Sequence, residues 1–235
     1  MLCDEVRKTL DPGGRDPAMR RTVIVAHSMG GLLTKSLLVD PGDRFWNAAF
    51  TKPIDRLELT DLERRTLEEA FFWKPRTHVD RVVFCNVPFR GSKLAGSVIG
   101  RIGDAVTAPN EQFQDFYREL EKRNPGMLTP DYQDLTEGRV TSVLALAPNG
   151  RSMEIFDDLP IAHDVGTHVS VGNLGRKGPL KESTDGVVPY SSSHLPGAES
   201  ELAVRYWHEA FDKPEVIAEV KRILKLPPAR PGRGG

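Results

Sequence analysis

The stretch TVIVAHSMGGLL, Thr22–Leu33, runs a β-favouring segment straight into a serine and then into small and aliphatic residues. A near-continuous apolar run is the pattern of a strand buried on both faces, and the residues after Ser28 suit a helix. A serine hydroxyl at neutral pH is a poor nucleophile and must be presented and activated. A sharp strand-to-helix turn presents it, and the crowding of that turn calls for small residues two places before and two after. Ala26 and Gly30 hold those places, so the motif G-x-S-x-G stands as AHSMG, with alanine for the first glycine. The same turn aims a backbone N–H, that of Met29, at a developing oxyanion. A serine that merely caps a helix does not need small residues around it.

Three more β-rich runs follow: RVVFCNV (81–87), THVSVGN (167–173) and ELAVRY (201–206). Helical patterns lie between and after them. Residues 30–39 continue from the serine. Thr60 and Glu63 fit a capping box ahead of Leu67, Ala70 and Phe71. Leu94, Val98, Ile99 and Ile102 recur at helical spacing, QFQDFYRELEKR reads as an amphipathic helix, and PEVIAEVKRILK opens with Pro214 at a first helical position. Strands alternating with helices predict a parallel α/β sheet.

The length of 235 residues, with 32 basic against 33 acidic side chains, suits one domain with insertions and gives no basic face for nucleic acid. Cys3 and Cys85 form no disulfide framework or metal spacing. No apolar run is long enough for a transmembrane helix. MLCDEVRKTL is not a signal peptide, which leaves the cytoplasm as the default location for this chain. The expected organisation is one domain over 1–226 and a disordered, Pro/Gly-rich tail at 227–235.

Two connections exceed what a crossover needs. The surplus, at about 38–80 and 93–165, predicts helical insertions forming a cap. Phe45, Trp46, Phe50, Phe71, Phe72 and Trp73 collect in the first. They suit a small core of the cap itself, or an apolar wall for an acyl or aryl substrate. Trp46 and Phe72, with His27 and Phe89, are the candidate substrate contacts.

The serine requires a base and an acid in the chain order Ser, Asp/Glu, His, the acid after the third strand and the histidine after the fourth. Asp185, in a Thr-Asp-Gly turn, and His208, after ELAVRYW, hold those places. His194 lies before the last strand and competes less well. His78, His163 and His168 have no such position, and no histidine pair has metal-ligand spacing.

These segments also carry a resemblance. AHSMGGLL resembles the nucleophile elbow of the α/β-hydrolase superfamily, in particular its bacterial lipase- and esterase-like members. RVVFCNVPFRGSKLA resembles a strand and loop that in those relatives reads roughly P-H-R-G-S, with Phe89 here in the histidine's place. TDGVVPYSSSHLPGAESEL and WHEAFDKPEVIAEVKRIL resemble the segments holding the catalytic acid and histidine. The likeness spans about residues 20–226. It implies an α/β-hydrolase fold, a mostly parallel sheet sandwiched by helices with helical cap insertions. It implies hydrolysis of carboxylic esters, small or lipid, without a cofactor or metal, with Ser28 as nucleophile, Asp185 as acid, His208 as base and the Met29 amide as oxyanion donor. The superfamily places several strands before the elbow strand, and a loop, often His-Gly, supplying the second oxyanion donor. Nothing in residues 1–21 reads as that loop, so early strands and the second donor are expected to be missing. Rival readings keep the triad as a lipid deacylase or acyltransferase, or make the chain a catalytically silent, truncated binding module.

Overall fold

A computed structural model describes residues 2–92, 111–137, 150–175 and 177–229. The four expected strands are β1 (Thr22–His27), β2 (Val79–Cys85), β3 (Gly166–Gly172) and β4 (Ser200–Val204). They pair in the order β1-β2-β3-β4, every pair parallel. Parallel neighbours need long crossovers, so all loops at the carboxyl ends of the strands gather on one rim. β2 and β3 are buried along their whole length. β1 was expected to be covered on both faces, but among the described residues it is an edge strand, like β4, and Val25 is 51% exposed.

Helices cover both faces, which makes the fold three-layered α/β. On one face Val82, Phe84, Val169 and Val171 pack with Leu32 and Leu38 from and just after α2 (Met29–Ser36). On the other, Val83 and Cys85 pack with Val216 and Ile223. Alternate residues of β2 thus serve opposite cores, as the period of two requires. The apolar stripe on the second face belongs to the closing helix, Pro214–Leu224, which does begin with proline in its first turn.

The helix over Leu2–Leu10 precedes β1. The first insertion folds as helices at Arg44–Ala49 and Asp61–Phe71, and the second has helices at Glu111–Arg123 and Arg151–Asp158. Thr60 and Glu63 close the capping box, each side chain bonding the other's backbone N–H. The helix expected around Leu94–Ile102 lies outside the described residues.

The two insertions pack on each other. Thr51 N–H donates to the Met127 carbonyl at 2.8 Å and Thr129 N–H to the Ala49 carbonyl at 2.9 Å. Asn124 exchanges hydrogen bonds with the Glu58 backbone, and Arg123 pairs with Glu63. Trp46, Phe50 and Leu67 from the first insertion enclose a core with Tyr117, Leu120 and Met127 from the second.

Lys35, on α2, is only 1% exposed. Its ammonium donates to the Phe156 and Asp157 carbonyls at 2.6 and 3.2 Å and lies 4.9 Å from the centre of the Phe156 ring. These carbonyls end the Arg151–Asp158 helix, the negative pole of its dipole. Burial still pushes the Lys35 pKa down, to about 8, opposed by the charge of Asp157.

The tail departs from the expected disorder at its start. The Pro227 carbonyl accepts from the buried Arg81 guanidinium, and Ala229 N–H donates to Asp80 at 2.9 Å. Arg81 and Asp80 are themselves paired and buried; Arg81 Nη2 and Asp80 Oδ1 use the tail's backbone, while the buried Arg81 Nε has no hydrogen-bond partner among the described residues. Residues 230–235 lie outside the described residues.

Candidate active site

Ser28 follows the last residue of β1 and precedes the first of α2. Its N–H still donates to the Cys85 carbonyl at 3.0 Å, continuing the sheet ladder, while its own carbonyl accepts from Gly31 N–H at 2.9 Å. One residue thus belongs to both elements. It adopts φ 53 and ψ −130, a left-handed φ that L-residues rarely hold.

The small residues around it have different duties from those expected. A Cβ on Gly30 would meet nothing within 4 Å. A Cβ on Gly31 would lie 2.1 Å from Val87 Cγ2. The steric need therefore falls on Gly31, where α2 crosses the end of β2. Gly31→Ala is expected to cost about 1–3 kcal/mol through overpacking. Gly30→Ala is expected to be neutral, or stabilising by up to about 1 kcal/mol through lower backbone entropy in the unfolded chain. Urea unfolding of the two variants checks this, and equal effects would sink it.

Asp185 and His208 arrive from the loops after β3 and β4. The Asp185 carboxylate is 1% exposed. Its Oδ1 accepts from the Val187 and Val188 N–H groups at 2.8 and 2.6 Å, leaving Oδ2 to meet His208 Nδ1 at 2.7 Å. His208 Nε2 lies 2.8 Å from Ser28 Oγ. A carboxylate only accepts, so Nδ1 carries the proton and Nε2 is free to accept from the serine. Close backbone approach makes this possible. Gly186, at φ 94, leaves the space filled by the Trp207 ring, and a Cβ on Gly172 would meet Asp185 Cβ at 2.8 Å.

His194 is held elsewhere. Its Nδ1 lies 2.6 Å from Glu201 Oε2 and its ring stacks on Tyr190, whose hydroxyl bonds the same carboxylate. Met29, the first residue of α2, has no earlier helical carbonyl for its N–H, as at any helix start.

The expected substrate contacts separate. Phe89 is fully buried against Phe84 in the main core, and Trp46, 3% exposed, is the centre of the cap core, its Nε1–H bonded to the Lys52 carbonyl. Each ring is enclosed by other core side chains. Phe72, 38% exposed, stacks on Trp46. His27 packs between His208 and Phe211, and its Nε2–H donates to the His208 carbonyl at 2.8 Å. Burial lowers the His27 pKa, an effect the carbonyl bond opposes.

One residue escaped the sequence reading. Asn86, just past β2, is 1% exposed and at φ 50. Its Nδ2 donates to the His208 carbonyl at 2.6 Å and its Oδ1 accepts from Gly172 N–H at 2.7 Å. The only signal was an asparagine directly after the apolar run Val82–Cys85.

Among the described residues no three His, Cys, Asp or Glu side chains cluster as a metal site, and no helix is long and apolar enough to cross a membrane. Cavities of about 480 and 600 Å³ are lined by residues such as Lys35, Arg90 and Ile161, or Asp43, Asn47 and Arg151, and include no member of the Ser28 cluster.

No protein-family model matches the chain, and no curated protein matches it. Solved structures do. The chain is similar to the mature form of the lipase BlEst2 of Bacillus licheniformis, at 17% identity and a TM-score of 0.44, covering 95% of this chain and 71% of that one. It is similar to the propeptide form of that lipase at 15% identity and 0.46, covering 99% and 41%. It is also similar to a Staphylococcus hyicus lipase at 12% identity and 0.42, covering 87% and 67%. Fold likeness at this distance does not transfer chemistry.

Proposed function

We propose that the chain is an α/β-hydrolase that cleaves carboxylic esters through a Ser28–His208–Asp185 triad and an acyl-enzyme. One observation carries the reading: the unbroken hydrogen-bond chain from Asp185 Oδ2 through His208 to Ser28 Oγ, at 2.7 and 2.8 Å, on a serine at φ 53. His208 Nε2 takes the hydroxyl proton as Oγ attacks the acyl carbon. Asp185 holds the tautomer and stabilises the imidazolium. The Met29 N–H stabilises the oxyanion. Collapse expels the alcohol, which leaves with the proton from His208. Water, deprotonated by the same nitrogen, then releases the acid and restores Ser28.

A fluorophosphonate probe tests this without a known substrate, because it phosphonylates only an activated serine. Labelling is expected in the unsubstituted chain, mapping to Ser28 and absent from Ser28→Ala. Labelling retained in Ser28→Ala, or absent from the folded unsubstituted protein, would sink the reading.

A further inference from the structure

We infer that Asn86 is the positioning residue that binds the three triad loops into one unit, with His27 as its auxiliary. The inference rests on the triad reading. The acid, base and nucleophile arrive on loops after three different strands, and a chain of hydrogen bonds must hold all three to a fraction of an ångström. Asn86 sits where those loops meet. Its neighbour Cys85 receives the Ser28 N–H, and its own N–H donates to the Ser170 carbonyl at 2.9 Å. Its side-chain oxygen holds Gly172, whose Cα packs on Asp185, and its side-chain nitrogen holds the backbone of His208 itself.

A side-chain amide does this without any change of protonation. Gly172 offers an N–H and His208 a carbonyl, so the side chain must accept on one arm and donate on the other. That pairing also fixes which way the amide points. Asparagine, in addition, tolerates the left-handed backbone here. The His208 carbonyl takes a second hydrogen bond from His27 Nε2–H, so both its lone pairs are used by side chains from the ends of β1 and β2. The base is thereby gripped from behind by the strands that carry the nucleophile and its neighbour.

Asn86→Asp is the sharp probe. It keeps the shape, the backbone preference and the acceptor arm; assayed at a pH high enough to ionise it, it places a carboxylate oxygen against the His208 carbonyl, whereas at low pH the protonated acid donates there as the amide does. Turnover of p-nitrophenyl butyrate is expected to lose about 10²-fold in kcat with KM little changed, the size of effect an ångström of misplacement produces. In a His208→Ala background the same substitution is expected to change the residual rate little, because a residue acting through His208 loses its effect when the imidazole is gone. A kcat in Asn86→Asp that matches the unsubstituted chain across the whole pH range would overturn the inference while leaving the triad reading intact. So would an equal fractional loss in the His208→Ala background. An unsubstituted chain that neither labels nor turns over would overturn the triad reading, and this inference with it. Should Asn86→Asp fail to fold, His27 carries the test. His27→Phe keeps the ring packing and removes the donor, with a loss expected of about tenfold, one ordinary hydrogen bond. His27→Gln offers an N–H at similar reach and is expected to recover much of it. Equal rates in His27→Phe and the unsubstituted chain would then overturn the inference.

Discussion

Alanine at Ser28 or at His208 is expected to lower ester turnover by about 10⁴-fold or more, and the double variant to be little worse than either single one. The non-additivity is the informative part. Ser28 Oγ and His208 Nε2 are joined at 2.8 Å, so the loss of either removes the same proton transfer. Two independent contributors would multiply their losses instead. His194→Ala is the matched control. His194 is paired with Glu201 and stacked on Tyr190, and its loss leaves Ser28, Asp185 and His208 in place. Steady-state turnover of p-nitrophenyl butyrate by the purified variants decides the matter. An active His208→Ala beside an inactive His194→Ala would transfer the base to His194.

Trp46→Ala is expected to destabilise the protein by about 3–5 kcal/mol, the usual cost of deleting a buried tryptophan. Trp46 stacks on Phe50 at 4.0 Å between ring centres, meets Phe71 edge-on at 5.6 Å and donates to the Lys52 carbonyl. Its removal empties the space around which both insertions close. The effect on catalysis is therefore expected to be general. Short and long esters should lose activity in step, through a lower fraction of folded cap. Denaturant unfolding with acetyl and long-chain p-nitrophenyl esters measured side by side checks both halves. A changed chain-length preference with unchanged unfolding would make Trp46 a substrate wall after all.

The elbow was legible because its demands are local. A strand, a turn and a helix follow one another within Thr22–Ser36, and each writes its own pattern into the chain. The positions of Asp185 and His208 were legible for a second reason. A parallel sheet delivers every strand's carboxyl end to one rim, so chain order alone places the residues that follow each strand. That topology, not residue type, separated His208 from His194. The capping box and the proline that opens the last helix were likewise readable, since each involves neighbours one turn apart.

The sequence by itself determined the α/β class, the four strands in their chain order, and the three residues able to form a hydrogen-bonded relay. Only the tertiary structure decided which small residue the elbow cannot spare, where the cap aromatics point and what grips the base. Gly31 matters because Val87 lies across it, and Val87 is far along the chain. Trp46 is core because the second insertion folds over the first, bringing Tyr117, Leu120 and Met127 around it. Asn86 reaches partners 86 and 122 residues away. A local pattern reports which face of an element is buried. It does not report what buries it, because close packing and hydrogen-bond pairing are settled between segments that meet only when the sheet has formed.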